Sequence, residues 1–229
     1  MDTKDTSSKV KIINYSQMMD ENYKNMSLID QVAYFARVSN PNNQSNSATS
    51  ERLCMYLLNN KHFSPFEMVT ICLEIKTTRD IARQILRHRS FSFQEFSQRY
   101  AVADLGYEYK EARLQDNKNR QNSIELEDEN LKNTELKTEW KKQQTEIAEL
   151  SKKTYNWALE HGIAKEQARA VLPEGMTLSR MYMSGNLRSW IHYIKLRTAN
   201  GTQKEHREIA FLCAYAIKEI FPFIQLYLV

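Results

Sequence analysis

Fourteen residues hold much of the reactive side-chain chemistry of this 229-residue chain. They run Arg87, His88, Arg89, Ser90, Phe91, Ser92, Phe93, Gln94, Glu95, Phe96, Ser97, Gln98, Arg99, Tyr100. Arginine presents a planar fork of donors that matches a phosphate or the edge of a flat imide, and serine adds short-range donors and acceptors. The mixture suits a phosphorylated, ring-bearing ligand, with Glu95 orienting donors or accepting from a sugar hydroxyl. A solvated basic turn laced with ion pairs is the plainer reading of the same composition. The aromatic rings interleaved with the charges sit poorly in a purely solvated loop, and composition alone leaves both readings open.

The elements that must position this stretch are legible from periodicity. Residues 79–88 read as a helix with Thr78 and Asp80 as candidate caps and Ile81 and Ile85 facing the core, so Gln84 arrives one turn from Arg87 or His88. Residues 68–76 alternate Val69, Ile71, Leu73, Ile75 and predict a strand. That strand leads out of a turn in which Pro65 breaks regular structure and brings His62, Ser64 and Glu67 together. Beyond Arg89 a turn is expected between Phe91 and Phe93, and an extended backbone would put Glu95, Ser97 and Arg99 on one face.

Upstream, residues 10–15 read as an opening strand, and Ser27 caps a helix through Arg37 that Ser39 closes. A helix over 49–60 is expected to bury Leu53, Tyr56 and Leu57. Downstream, residues 101–133 read as a partly helical surface insertion ending in the acids Glu125, Glu127, Asp128 and Glu129. From Thr134 to Gly162, Leu136, Trp140, Ile147, Leu150, Thr154 and Trp157 recur at helical spacing, fitting a partner helix or the centre of an oligomer. A strand over 176–183 precedes a helix opened by Asn186, with Leu187, Trp190, Ile191 and Ile194 on one stripe and Arg188, His192 and Lys195 on another. Arg197 lies roughly 180° around that helix from Arg188, at ~100° per residue. A last helix over 203–220 packs Ile209, Leu212, Cys213, Ala216 and Ile220, and an apolar tail over 221–229, broken by Pro222, docks on the core or a neighbour.

Composition bounds the class. With 41% apolar and 26% charged residues the chain reads as one globular domain over 1–229, residues 1–8 disordered and 104–140 a variable insertion. No run approaches the ~20 apolar residues of a membrane span, and the polar start is no secretory signal, so cytoplasm, or host cytoplasm for a viral source, is expected. Cys54, Cys72 and Cys213 are too scattered for a disulfide framework or a zinc site and read as reduced core thiols. A net charge of +4 permits polyelectrolyte binding without demanding it. Five glycines make neither a P-loop nor a dinucleotide fingerprint, so side chains and helix ends must hold any nucleotide.

The spacing Arg87-His88-Arg89, Ser92, Ser97, Arg99 resembles the signature of the flavin-dependent thymidylate synthases. Three further segments extend the resemblance: the His-x-(Ser/Thr)-Pro-Phe-Glu element at His62, the Ala-Arg-x-Val-Leu-Pro element carrying Arg169, and the Asn186 to Arg197 helix. It implies an α+β fold with a central, mostly antiparallel sheet flanked by helices, one of them long. It also implies a homotetramer that binds FAD between subunits and methylates dUMP to dTMP, with methylenetetrahydrofolate as carbon donor and NADPH as reductant of the flavin.

By that resemblance Arg197 promotes ionisation of the uracil imide, and Gln84, Arg87, Glu95, Ser97, Gln98, Arg99 and Arg169 hold dUMP. Ser39, Ser64, Arg87, His88, Arg89, Glu95, Asn186, Arg188 and His192 would hold FAD, with His62 a possible folate or flavin contact. No metal is implied. A nucleophilic Ser97 is disfavoured, because arginines are poor bases. Gln98 stands where glycine is common in the family, and the segment after Arg197 departs in length, leaving the role of His206 open. Two rivals stand beside this reading: a nucleic-acid binder using Arg and Phe, and a metal-dependent nucleotide hydrolase, for which the motif region lacks a His and Asp cluster.

Overall fold

The structure, a computed structural model, describes residues 9–127 and 130–228. The expectation of disorder over 1–8, Asp128 and Glu129 of the acidic patch, and Val229 of the tail lie outside the described residues.

Four strands form one antiparallel sheet: β1 (Val10–Tyr15), β2 (Thr70–Thr78), β3 (Ser92–Glu95) and, after a hairpin of β4 (Arg113–Gln115) and β5 (Ser123–Glu125), β6 (Leu178–Asn186). Their spatial order is β1-β2-β6-β3. In β2 the alternation holds, since Ile71, Leu73 and Ile75 are fully buried on one face while Cys72 and Lys76 reach out on the other. The strand runs two residues past its expected end because Thr77 and Thr78 still pair with Ser179 and Leu178 of β6.

Seven helices surround the sheet among the described residues. In α1 (Leu28–Ala36) the Ser27 hydroxyl accepts from the Asp30 N–H at 3.1 Å, an N-cap that satisfies one otherwise orphan donor. α2 (Ser50–Asn59) turns Cys54, Leu57 and Leu58 inward, so Tyr56 falls off that stripe and is exposed, not buried as expected. α3 (Arg79–Ile85) stops three residues short of His88, with Leu86 as its C-cap. α6 (Leu187–Arg197) and α7 (Lys204–Lys218) close over the sheet, and Trp190 of α6, fully buried, donates its indole N–H to the Ile71 carbonyl at 3.1 Å. The tail docks on the same core through Phe221 and Ile224.

The segment 101–133 differs from expectation. Its helical part is confined to the start of the long helix at Leu131, and before that it carries the β4–β5 hairpin, whose connection is tied by the Asp116 carboxylate accepting from the Lys118 and Asn119 backbone N–H groups. Such side-chain capture of turn amides competes with helix formation. The long helix α4 (Leu131–Glu160) then starts at an Asn130 cap, and its buried face is small and polar: Gln144, Ala148, Ser151, Tyr155 and Ala158. The apolar stripe has the expected spacing but faces outward, with Leu136, Trp140, Ile147, Leu150 and Trp157 all exposed. A short α5 (Lys165–Ala168) follows. No helix among the described residues is long and apolar enough to cross a membrane.

Candidate active site

The arginine-rich stretch leaves α3 as a turn and enters the sheet at β3, so no extended run carries Glu95, Ser97 and Arg99 together. The strand ends at Glu95, and the chain turns again at Gln98. Phe91 anchors the entry, packed edge-on to Trp190 with ring centroids 4.8 Å apart and lying directly on Gly185. A Cβ at Gly185 would come within 2.4 Å of the Phe91 ring, so only glycine lets the ring approach β6 this closely. The phenylalanine whose presence argued against a solvated turn is thus the bolt that fixes the arginines' backbone.

The candidate residues gather in three groups. The first joins α3, the turn after it, and the ends of α6 and α7. Arg197 donates from Nε to His88 Nε2 at 2.9 Å, and the His88 ring meets Tyr193 edge-on. Tyr193 also hydrogen-bonds His206, whose other ring nitrogen meets Gln84 at 3.3 Å. Burial, then the charges of Arg197 and Arg87, push the His88 imidazole down to about 4, and burial pushes His206 down to about 3. Both rings are therefore neutral near pH 7, and His88 serves as an acceptor.

The second group lies on the opposite face of α6. Arg188 is ion-paired with Glu67 of the turn before β2, and the His192 ring packs on Phe63 at 5.1 Å. Burial, then Arg188 and Lys195, lower the His192 imidazole as well. His62 and Ser64 are exposed on that turn, His62 edge-on to Tyr56. Asn186 spends its side-chain oxygen capping α6 through the Ser189 N–H at 2.8 Å, which leaves its amide group for a ligand. The two-sided helix expected from sequence is therefore observed. Ser39 sits exposed just past α1.

The third group surrounds α5. Arg99 pairs with the Glu166 carboxylate at 3.1 Å and Arg169 donates from Nε to the Glu166 carbonyl, so these two arginines converge while Arg197 stays with His88. Ser97 is exposed. Gln98 is buried, and its Nε2 is a donor with no acceptor among the described residues. Glu95 turns inward, its Oε1 accepting from Ser179 Oγ at 2.7 Å and from Arg79 at 3.3 Å, which leaves Oε2 for a ligand. Arg87 and Arg89 are exposed and carry no carboxylate partner among the described residues.

Sequence reasoning missed Glu166 and Tyr193 as partners that hold these groups, and it placed Glu67 in its turn without pairing it with Arg188. One signal was available, a histidine on the apolar stripe His206, Ile209, Ala210, Cys213 of α7. The thiols take no part. Burial pushes Cys54 up to about 12 and raises Cys72 and Cys213, so none supplies a thiolate at neutral pH.

The fold with its antiparallel sheet and long helix is shared with a solved UMP/dUMP methylase, PolB from Streptomyces cacaoi, at a TM-score of 0.78 and 23% identity, over 96% of this chain and 92% of that one. Residues 15–223 match the family described as thymidylate synthase complementing protein, and the chain belongs to that family. It is 51% identical over 190 residues to a probable flavin-dependent thymidylate synthase of Paramecium bursaria Chlorella virus 1, covering 83% of each chain. It is 50% identical over 192 residues to the flavin-dependent thymidylate synthase of a Synechocystis species, covering 83% of this chain and 85% of that one.

Proposed function

We propose that the chain is one catalytic domain that methylates dUMP to dTMP, with methylenetetrahydrofolate as carbon donor, FAD as the flavin and NADPH as its reductant. The observation that carries this reading is the meeting of Gln84, His88, Arg197 and His206 around Tyr193, from three separated parts of the sequence. A guanidinium held by a neutral imidazole keeps its full charge, and that charge favours the electron-rich form of a uracil imide whose ring carbon must attack the methylene group. When bound, the flavin supplies the hydride that converts the transferred methylene to a methyl group.

The donor set fits these ligands. Arg87 and Arg89 offer unpaired forks to a diphosphate, and the orphan Gln98 Nε2 and the Arg99 and Arg169 pair await acceptors of the kind a pyrimidine monophosphate carries. Asn186, Arg188, His192, Ser64, Ser39 and the remaining Glu95 oxygen are read as flavin contacts, with His62 beside them. The site is read as shared between subunits of a homotetramer. The exposed seam of α4 supports that assembly, since apolar residues recurring along one helix face want a partner. On this reading the enzyme works in the cytoplasm, without nucleic acid or membrane partners.

Purified protein is expected to be yellow, to bleach with NADPH, and to form dTMP from dUMP and methylenetetrahydrofolate. A colourless protein whose affinity for oligonucleotides falls steeply with salt would instead support the nucleic-acid reading.

A further inference from the structure

We infer that His206 is a positioning residue for Gln84, its imidazole fixing which end of the Gln84 carboxamide faces the nucleotide. The inference rests on the reading of Gln84 as a nucleotide-binding residue.

Hydrogen-bond polarity carries the argument. Gln84 Oε1 can only accept, so the His206 nitrogen facing it at 3.3 Å, Nδ1, must carry the proton. Nε2 is then bare and accepts from the Tyr193 hydroxyl at 3.2 Å. On the other side of the carboxamide, Gln84 Nε2 donates to Gln203 Oε1 at 2.7 Å, and Gln203 Nε2 donates to Glu205 Oε2 at 2.9 Å. Glu205 is anchored by an ion pair with Arg113. Every donor therefore points the same way, from Tyr193 through His206, Gln84 and Gln203 to the Glu205 carboxylate.

Reversing the Gln84 amide would set its oxygen against the Gln203 oxygen, which the Glu205 carboxylate holds in place, and its NH2 against the Nδ1–H of the tautomer inferred for His206, losing both bonds in that tautomer. The carboxamide is thus held with one Nε2 hydrogen left over, a donor for a ligand oxygen. His206 itself is fully buried and touches no solvent, so it acts through Gln84 and not on the ligand. Its lowered basicity keeps the imidazole neutral, which the bare Nε2 requires. Buried networks in which every member is satisfied hold one arrangement, and deleting a member strands its neighbours.

The test compares dUMP binding and steady-state kinetics of flavin-loaded H206L, H206N and Q84A proteins. H206L is expected to weaken dUMP binding and raise its KM about tenfold, with kcat and flavin content little changed. H206N, whose side-chain amide nitrogen takes the place of Nδ1–H, should recover most of that loss, and H206L in a Q84A background should cost nothing further. A folded H206L that binds dUMP like the parent, or that adds its full cost to Q84A, overturns the inference. If Q84A alone leaves dUMP affinity unchanged, Gln84 is no nucleotide residue and the inference falls with that reading. Should H206L not fold, the imidazole 15N shifts of the parent protein decide: a protonated Nδ1 is expected, and a protonated Nε2 refutes it.

Discussion

Arg197 and His88 stand 109 residues apart in the chain and 2.9 Å apart in space, the guanidinium Nε–H donating to the imidazole Nε2. A carboxylate in that place would neutralise the arginine; a neutral ring orients it and leaves its charge available. The ring stays neutral because burial and two neighbouring guanidinium groups all disfavour its protonation.

Replacing Arg197 by alanine is therefore expected to leave flavin bound and to lower dTMP formation by about 100-fold or more, in line with removal of a charge that stabilises a developing anion. Visible absorption reports the flavin, and product analysis the turnover. Near-normal turnover would take Arg197 out of the chemistry.

Stability should decline on mild acidification. His88 and His206 have folded-state values of about 4 and about 3, below the ordinary 6.5, so the unfolded chain takes up protons first. The folded state is fully favoured above about pH 6.5 and loses ground as pH falls toward the folded values. Urea midpoints measured between about pH 7 and about pH 5 should drop, and drop less in H206N. Equal slopes for the two proteins would contradict the buried, neutral His206.

Gly185→Ala forces its new Cβ against the Phe91 ring, and overpacking of this kind costs about 1–3 kcal/mol. Thermal denaturation should show the loss, and the double variant G185A/F91L should recover part of it. An unchanged melting temperature in G185A would mean that Phe91 does not bolt the arginine stretch to β6.

The exposed seam of α4 offers a discriminating experiment. Exposed substitutions away from special features shift stability by roughly ±0.5 kcal/mol, so I147E/L150E should spare an isolated protomer. If the seam joins copies, light scattering will report a smaller species that has also lost flavin. A smaller species with full flavin occupancy would contradict a site shared between subunits.

Some of this architecture is local in origin, and it was legible. The alternation Ile71, Leu73, Ile75, the Ser27 and Asn186 caps and the two-sided character of α6 follow from side chains a few residues apart, whose geometry the backbone repeat dictates. The arginine signature and its spacing were visible for the same reason. Less of segment 101–133 could be read, because Asp116 captures turn amides within a polar stretch that has no hydrophobic period to announce a hairpin.

By itself, then, the amino-acid order determined the elements outside segment 101–133, the family resemblance and which groups could grip an anion. Tertiary structure alone decided their partners: Arg197 against His88, Arg99 against Glu166, His206 between Tyr193 and Gln84, and the stripe of α4 turned outward. The physical reason is range. Periodicity and capping act over one or two turns, whereas a hydrogen bond between distant residues exists only once the packed core has brought their backbones together and closed off the alternatives.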